Sequence, residues 1–140
     1  MANVVRSPNA SFDGLTAIRN GQMLPTLPGN PLRAGEALDP AAPVYIKSSD
    51  GKLYMSSGAA ANEAAEVIGF TGKSYVAGEP VTPFRNGTVI KYADGTLTPG
   101  NKYFISATAG RLADAATTGD ALGVAIALDA SNLLVTRASY

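Results

Sequence analysis

A chain that does chemistry on a substrate needs a nucleophile, an acid, a base or a metal. This one is poorly supplied. It has no histidine and no cysteine among 140 residues, which removes the commonest general base, the commonest metal ligand and every thiolate site. Ser56, Ser57 and Ser74 have no histidine to activate them, and none of the three begins a Ser-x-x-Lys arrangement that could stand in for one. The stretch Glu66 to Ser74 ends like a phosphate-binding loop, in Gly72-Lys73-Ser74. The glycine that motif requires five residues before Gly72 would fall at Val67. The expected structure is a surface turn with a solvated lysine. Glu63 and Glu66 are three apart and share a helical face, but no tryptophan platform lies nearby to offer them a substrate. Asp114, Asp120 and Asp129 fall in predicted turns, where aspartate bonds to backbone, and they lack the alternating acidic spacing of a calcium loop. The residues therefore predict a non-enzyme, with no catalytic residue, no cofactor and no metal. Nucleic acid is not an expected partner either. Lys91-Tyr92 and Lys102-Tyr103-Phe104 are the nearest approach to a basic-aromatic strand face, Asp94 sits between them, and the formal net charge is +0.

The composition asks what kind of surface such a chain presents. Charged residues make up 16% of it, against roughly a quarter in an ordinary soluble domain. A small chain with so few charges is expected to have part of its surface covered by other chains. The 24 alanines and 15 glycines are the other source of that low charge. No window approaches the roughly 18 unbroken apolar residues of a membrane helix, so no membrane partner is expected. Met1 to Arg6 lacks the apolar core of a secretion signal, which predicts folding in a cytoplasm and discounts the glycosylation patterns at Asn9 and Asn86.

The elements divide into an arm and a body. Six of the nine prolines lie in the first 43 residues, and from Asn3 to Leu32 there is no sustained period of 2 or 3.6. Residues 1–33 are expected to form an extended, proline-rich arm. It is apolar enough to pack on a surface, either a partner's or its own domain's. Its candidate contact residues are Val4, Val5, Arg6, Phe12, Leu15, Ile18, Arg19, Leu24 and Leu27. Arg6, Arg19 and Arg33 against Asp13 give the arm a formal charge of +2.

Residues 34–140 are expected to form a mainly β domain, a small barrel or sandwich of short antiparallel strands. Val44–Lys47 and Lys52–Met55 flank Ser48-Ser49-Asp50-Gly51, a hairpin signal. Thr88–Tyr92, Tyr103–Ser106 and Leu133–Arg137 read as further strands, and Asn62–Glu66 as one or two helical turns capped by Asn62. Residues 121–128 alternate strictly. Leu122, Val124, Ile126 and Leu128 are expected to face the core. Ala121, Gly123, Ala125 and Ala127 are expected to face another layer or another subunit. Pro80 and Pro83 bracket Val81-Thr82 and mark an edge strand. The body also resembles itself. Leu38-Asp39-Pro40, Tyr45-Ile46 and Gly51-Lys52-Leu53 recur 59 residues on, as Leu97-Thr98-Pro99, Phe104-Ile105 and Gly110-Arg111-Leu112. Val67–Phe70 and Val81-Thr82 recur 54 residues on. The two units, 38–83 and 97–137, point to an internal duplication.

Several of these segments together resemble a known family. Gly35–Leu38, Ala42–Lys47 and Asp50–Tyr54 look like the opening of small tailed-phage capsid cement proteins. Val67–Phe70 with Ala77–Thr82 is similar to the next part of those sequences. So are Leu97–Ser106, Gly110–Ala113 and Gly119–Ala125. The resemblance implies a β-rich decoration protein on the outer surface of the expanded phage head, made in the host cytoplasm. It implies the major capsid protein and further copies of the chain, as a homotrimer, for partners. It implies reinforcement of the lattice against internal DNA pressure, with the arm as the natural lattice contact and no catalytic residues. Related patterns occur in fibre, tail and adhesin modules. A different class, a small carbohydrate-binding β domain, would need an exposed platform from Tyr45, Tyr54, Tyr75 and Tyr92.

Overall fold

The computed structural model describes residues 3–6 and 32–138. Within them the chain is mainly β. Its strands are β1 Leu32–Arg33, β2 Pro43–Ile46, β3 Leu53–Met55, β4 Gly69–Phe70, β5 Pro80–Val81, β6 Val89–Lys91, β7 Lys102–Ile105, β8 Leu112–Ala113, β9 Ala125–Ala127 and β10 Asn132–Val135. They form open antiparallel sheets of two strands (β1-β5), three (β3-β2-β4) and five (β6-β10-β9-β7-β8). Of the barrel and the sandwich, the open sheets correspond to the sandwich. Among the described residues the one helical element is a 3-10 turn over Glu63–Ala65, and the Asn62 side chain accepts from the Ala64 N–H at its start as the sequence predicts.

The two halves share one pairing scheme. In the first, β2 pairs with β3 and β4, and β1 with β5. In the second, β7 pairs with β8 and β9, and β6 with β10. The hairpins agree register for register. Tyr45 opposite Tyr54 and Ile46 opposite Leu53 become, 59 residues on, Phe104 opposite Ala113 and Ile105 opposite Leu112. The turn glycines match too, Gly51 at φ 70 and Gly110 at φ 76. That region of backbone favours glycine because a Cβ would clash with its own carbonyl. The halves differ in their last strands. β9 and β10 pair with each other, whereas β4 and β5 are in separate sheets.

Each half has its own apolar centre. Leu38, Val44, Leu53, Tyr75 and Val81 pack together, with Leu32, Ile46, Met55 and Ile68 against them. Ile90, Tyr92, Tyr103, Ile105, Leu112, Val124, Leu133 and Val135 form the larger cluster, joined by Val67 and Phe70 from the first half. Leu32 and Arg33 belong to this architecture. The sequence boundary placed them in the arm, but Leu32 pairs with Val81 and Arg33 with Pro80. β5 is thus the edge strand its prolines predicted, covered on one side by β1.

The segment 121–128 reverses the expected orientation. Leu122 and Leu128 are 71% and 49% exposed, while Ala125 and Ala127 are buried in the larger cluster. Ile126 points away from that core. Only Val124, of the four large residues, is fully buried. At φ 88 Gly123 leaves the strand conformation, so β9 begins only at Ala125 and the alternation does not run as one strand from 121 to 128. Thr136 and Arg137 both donate backbone N–H groups to the Val124 carbonyl, a bulge that lies in the partner segment after β10. The small residues share the interior with the rings of Tyr92 and Tyr103. Ala125 and Ala127 are filled positions of the chain's own core, not a face offered to a neighbouring subunit. Gly123 is buried as well, and Ala121 is exposed.

Candidate interaction surfaces

Three places bring functional side chains together, and the first is a turn the sequence undervalued. Asp120 is 2% exposed. Its Oδ2 accepts from the Ile105 N–H at 2.8 Å. Its Oδ1 accepts from the N–H groups of Leu122 (3.1 Å) and Gly123 (2.9 Å) and from Arg137 Nη2 (2.8 Å). Thr117 completes the turn by donating its hydroxyl to the Ile105 carbonyl at 2.8 Å. Thr117 and Asp120 thus take the place of a strand partner for Ile105, where β9 does not reach. The carboxylate holds the Leu122-Gly123 turn that leads into β9. Sequence reasoning gave Asp120 a turn, correctly, but spacing alone holds no sign that it is buried and accepts four bonds.

The second place is the amino-terminal strap, Asn3 to Arg6. Asn3 forms an antiparallel bridge opposite Ala113, and the Val4 N–H donates to the Leu112 carbonyl at 2.9 Å. The Asn3 side chain also bonds Thr108 and Ser106. The Arg6 side chain is 6% exposed. It donates to the carbonyls of Pro40 and Gly110, both at 2.9 Å, and pairs with Asp39 at 3.2 Å. Its guanidinium carbon lies 6.0 Å from the centre of the Tyr92 ring. One arginine therefore ties the strap to both halves of the body. Of the predicted arm contacts, Val4 and Arg6 pack on the chain's own domain, and Val5 is 70% exposed. Phe12, Leu15, Ile18, Arg19, Leu24 and Leu27 lie outside the described residues. A shallow cleft of about 260 Å³ runs between Asn3, Val4 and Val5 and the side chains of Thr96, Thr98, Asn101, Tyr103 and Asp114.

The third place is the outer face of the five-stranded sheet. Register places Val89, Leu134, Ile126 and Lys102 in one row across β6, β10, β9 and β7. Their neighbours along each strand, Ile90, Leu133, Ala125 and Tyr103, point inward and are buried. Val89, Leu134 and Ile126 are only partly covered, as is Phe104. With the exposed Leu122 and Leu128 beside them they make an apolar face with Lys102 at its margin. Exposed leucines are ordinary singly; a row in register with a partly covered sheet face is a candidate interaction surface. Alternation separates this row from its buried neighbours but carries no sign of which row is outward.

The other predicted sites behave as ordinary surface or core. Lys73 is mostly exposed, 5.0 Å from the Tyr75 ring centre and 3.9 Å from a Glu79 oxygen. The Ser48 hydroxyl and the Ser48 N–H both donate to Glu63 and hold its carboxyl below the usual range. Asp129 accepts from Ser131 and Asn132, and those bonds lower its pKa. The four tyrosines do not form a platform. Tyr92 is fully buried, Tyr45 and Tyr75 nearly so. Tyr54 is half-buried, with its hydroxyl donated to Asp50 at 2.6 Å and Lys47 4.7 Å from its ring centre.

No protein-family model matches the chain, and no curated protein matches it. The functional reading rests on these surfaces and on the resemblance of the strand and turn segments.

The buried tyrosines set the response to pH. With no histidine to titrate, stability is expected to stay nearly level from about pH 6 to 9. Burial raises the Tyr92 hydroxyl above its ordinary 10.0, opposed in part by the Arg6 charge. Tyr75 and Tyr45 are raised as well, also mainly by burial. A raised folded-state pKa means the folded state holds the proton more tightly. The stability is full below pH 10 and is lost as pH rises through the folded values. Denaturant midpoints should therefore fall only above about pH 10. Tyr92→Phe should flatten that fall, while costing about 1–2 kcal/mol at neutral pH because the Leu112 N–H loses its acceptor. A midpoint that changes steeply between pH 6 and 9 would contradict this account.

Proposed function

We propose that this chain is a viral structural protein, a decoration protein that binds the outer surface of an expanded tailed-phage head and stabilises the capsid lattice. Its partners on this reading are the major capsid protein and further copies of itself, as a homotrimer, and its location is the virion exterior. The observation that carries the reading is the outer apolar face of the five-stranded sheet, with Val89, Leu134 and Ile126 in register. A passive assembly part needs complementary surface rather than a deep pocket. Many modest contacts repeated over a shell add up through multivalency. The low charge and the apolar arm sequence are consistent with the same role. The carbohydrate-binding alternative draws no support from the tyrosines, because Tyr45, Tyr75 and Tyr92 are buried.

The test is the copy number of the chain in gradient-purified particles, relative to the major capsid protein. Hundreds of copies per particle, comparable with the capsid protein, are expected. A handful would move the chain to a fibre, tail or adhesin position, and none would end the virion reading.

A further inference from the structure

The amino-terminal strap completes a sheet edge, and its connection to the body is much longer than that task needs. β8 is the last strand of its sheet, with β7 on one side. Its other edge is taken by Asn3 opposite Ala113 and by Val4 bonding to Leu112. The equivalent edge in the first half, at Leu53, is covered differently. There the Gly35 N–H donates to the Leu53 carbonyl at 2.8 Å, from the segment that directly follows β1. Among the described residues the second half has no such backbone cover, although the Tyr92 hydroxyl, just after β6, accepts from the Leu112 N–H. Its edge is filled by a four-residue segment that reaches it through residues 7–31.

The length of that connector can be compared with the gap. Arg6 touches Asp39, which is seven residues after Leu32. The ends of the connector are therefore at most roughly 30 Å apart, allowing about 3.5 Å per residue and the reach of an arginine side chain. About ten extended residues would cross that gap. The connector has 25, enough for about 80 Å when extended. A folded chain of this size has a radius of gyration of about 14 Å, so the β8 edge of an adjacent copy is within reach.

We propose that the strap is exchangeable: Asn3–Arg6 of one copy docks on the β8 edge of a second copy when copies are crowded together. Every bond made within the chain can be made between chains. These are the Val4–Leu112 backbone bond, the Asn3 side-chain bonds and the Arg6 clamp on Asp39, Pro40 and Gly110. The choice between them is set by relative concentration. The connector holds the strap near its own edge at an effective concentration on the order of millimolar. Dilute protein closes on itself, and neighbours packed side by side compete. Such exchange would tie adjacent copies together by strand addition. The inference concerns pairs of copies in solution and does not rest on the capsid reading.

The test uses thiols that are unique, because the chain has no cysteine. Asn3 and Thr108 are exposed, and their side chains are hydrogen-bonded at 3.1 Å. Full-length Asn3→Cys and Thr108→Cys variants are mixed at about 1 mM and at about 10 µM, the two sides of the connector's effective concentration, and treated with a short bis-maleimide. Heterodimers that join one variant's introduced thiol to the other's are expected at the high concentration, in excess of either homodimer. Their yield should fall at least about fivefold on dilution, as mass action against a millimolar effective concentration requires. Adding Arg6→Ala to the Asn3→Cys chain should remove the excess. A doubly substituted chain that cross-links only within itself, beside single variants that give no excess heterodimer at about 1 mM, would overturn the proposal. So would a double variant that forms no internal cross-link and a mixture that forms no heterodimer, because the strap would then not sit on β8 at all.

Discussion

Asp120→Ala is expected to cost about 3–5 kcal/mol, the sum of several buried donors each worth about 1–3 when left unpaired. The native carboxylate accepts from the backbone N–H groups of Ile105, Leu122 and Gly123 and from Arg137. Alanine leaves the three backbone donors without an acceptor where the residue is 2% exposed, whereas Arg137, a third exposed and still bonded to the Gly123 carbonyl, can turn to water. Domains of this size have about 5–15 kcal/mol in total, and the thermal midpoint should fall by roughly 10–20 °C. Asp120→Asn keeps one accepting oxygen and should lose about half as much. The measurement is thermal and urea unfolding followed by circular dichroism. An alanine variant within about 1 kcal/mol of the parent would mean the turn is held by Thr117 and the surrounding packing instead.

The second large effect separates two adjacent residues. Ala125→Glu places a carboxylate in the larger apolar cluster, where it has neither room nor a partner. The expected penalty is about 4 kcal/mol or more, enough that most of the chain should be unfolded or insoluble. Ile126→Glu changes the opposite face of the same strand. Its in-register neighbour on β7 is Lys102, so the new charge meets an opposite one, and stability should shift by no more than about 1 kcal/mol. The same variant removes apolar surface worth about 1.5–3 kcal/mol if a partner covers it. On the decoration reading, binding to particles should weaken by about 10- to 100-fold per contact. Unfolding curves test the first half of the prediction and particle co-sedimentation the second. Ile126→Glu that is folded and binds normally would remove the outer face from the proposed function. Ala125→Glu with parental stability would overturn the orientation of β9.

Much of the architecture follows from local rules that one sequence carries. Strand alternation, β-branched and aromatic runs and turn glycines predict β2, β3, β6, β7 and β10 with boundaries shifted by a residue or so. Those features depend on neighbouring residues, so neighbours suffice to find them. The 59-residue repeat is of the same kind, and the hairpins at its two copies share a register. The absence of histidine and cysteine was likewise legible at once.

What the tertiary structure decided was direction and partnership. A period of two separates the faces of residues 121–128 but does not say which is inside. Gly123, held by Asp120, breaks the strand before β9, and the volume of Tyr92 and Tyr103 leaves the interior beside β9 to alanines. Leu32-Arg33 became a strand because Val81 and Pro80 lie opposite it, and Arg6 became a clamp because Asp39, Pro40 and Gly110 converge on it. Each of these contacts joins residues far apart in the chain. The sequence determined the strands, turns and repeat; the fold alone determined which apolar row faces outward and which edge the strap completes, because both depend on packing between segments that no local pattern encodes.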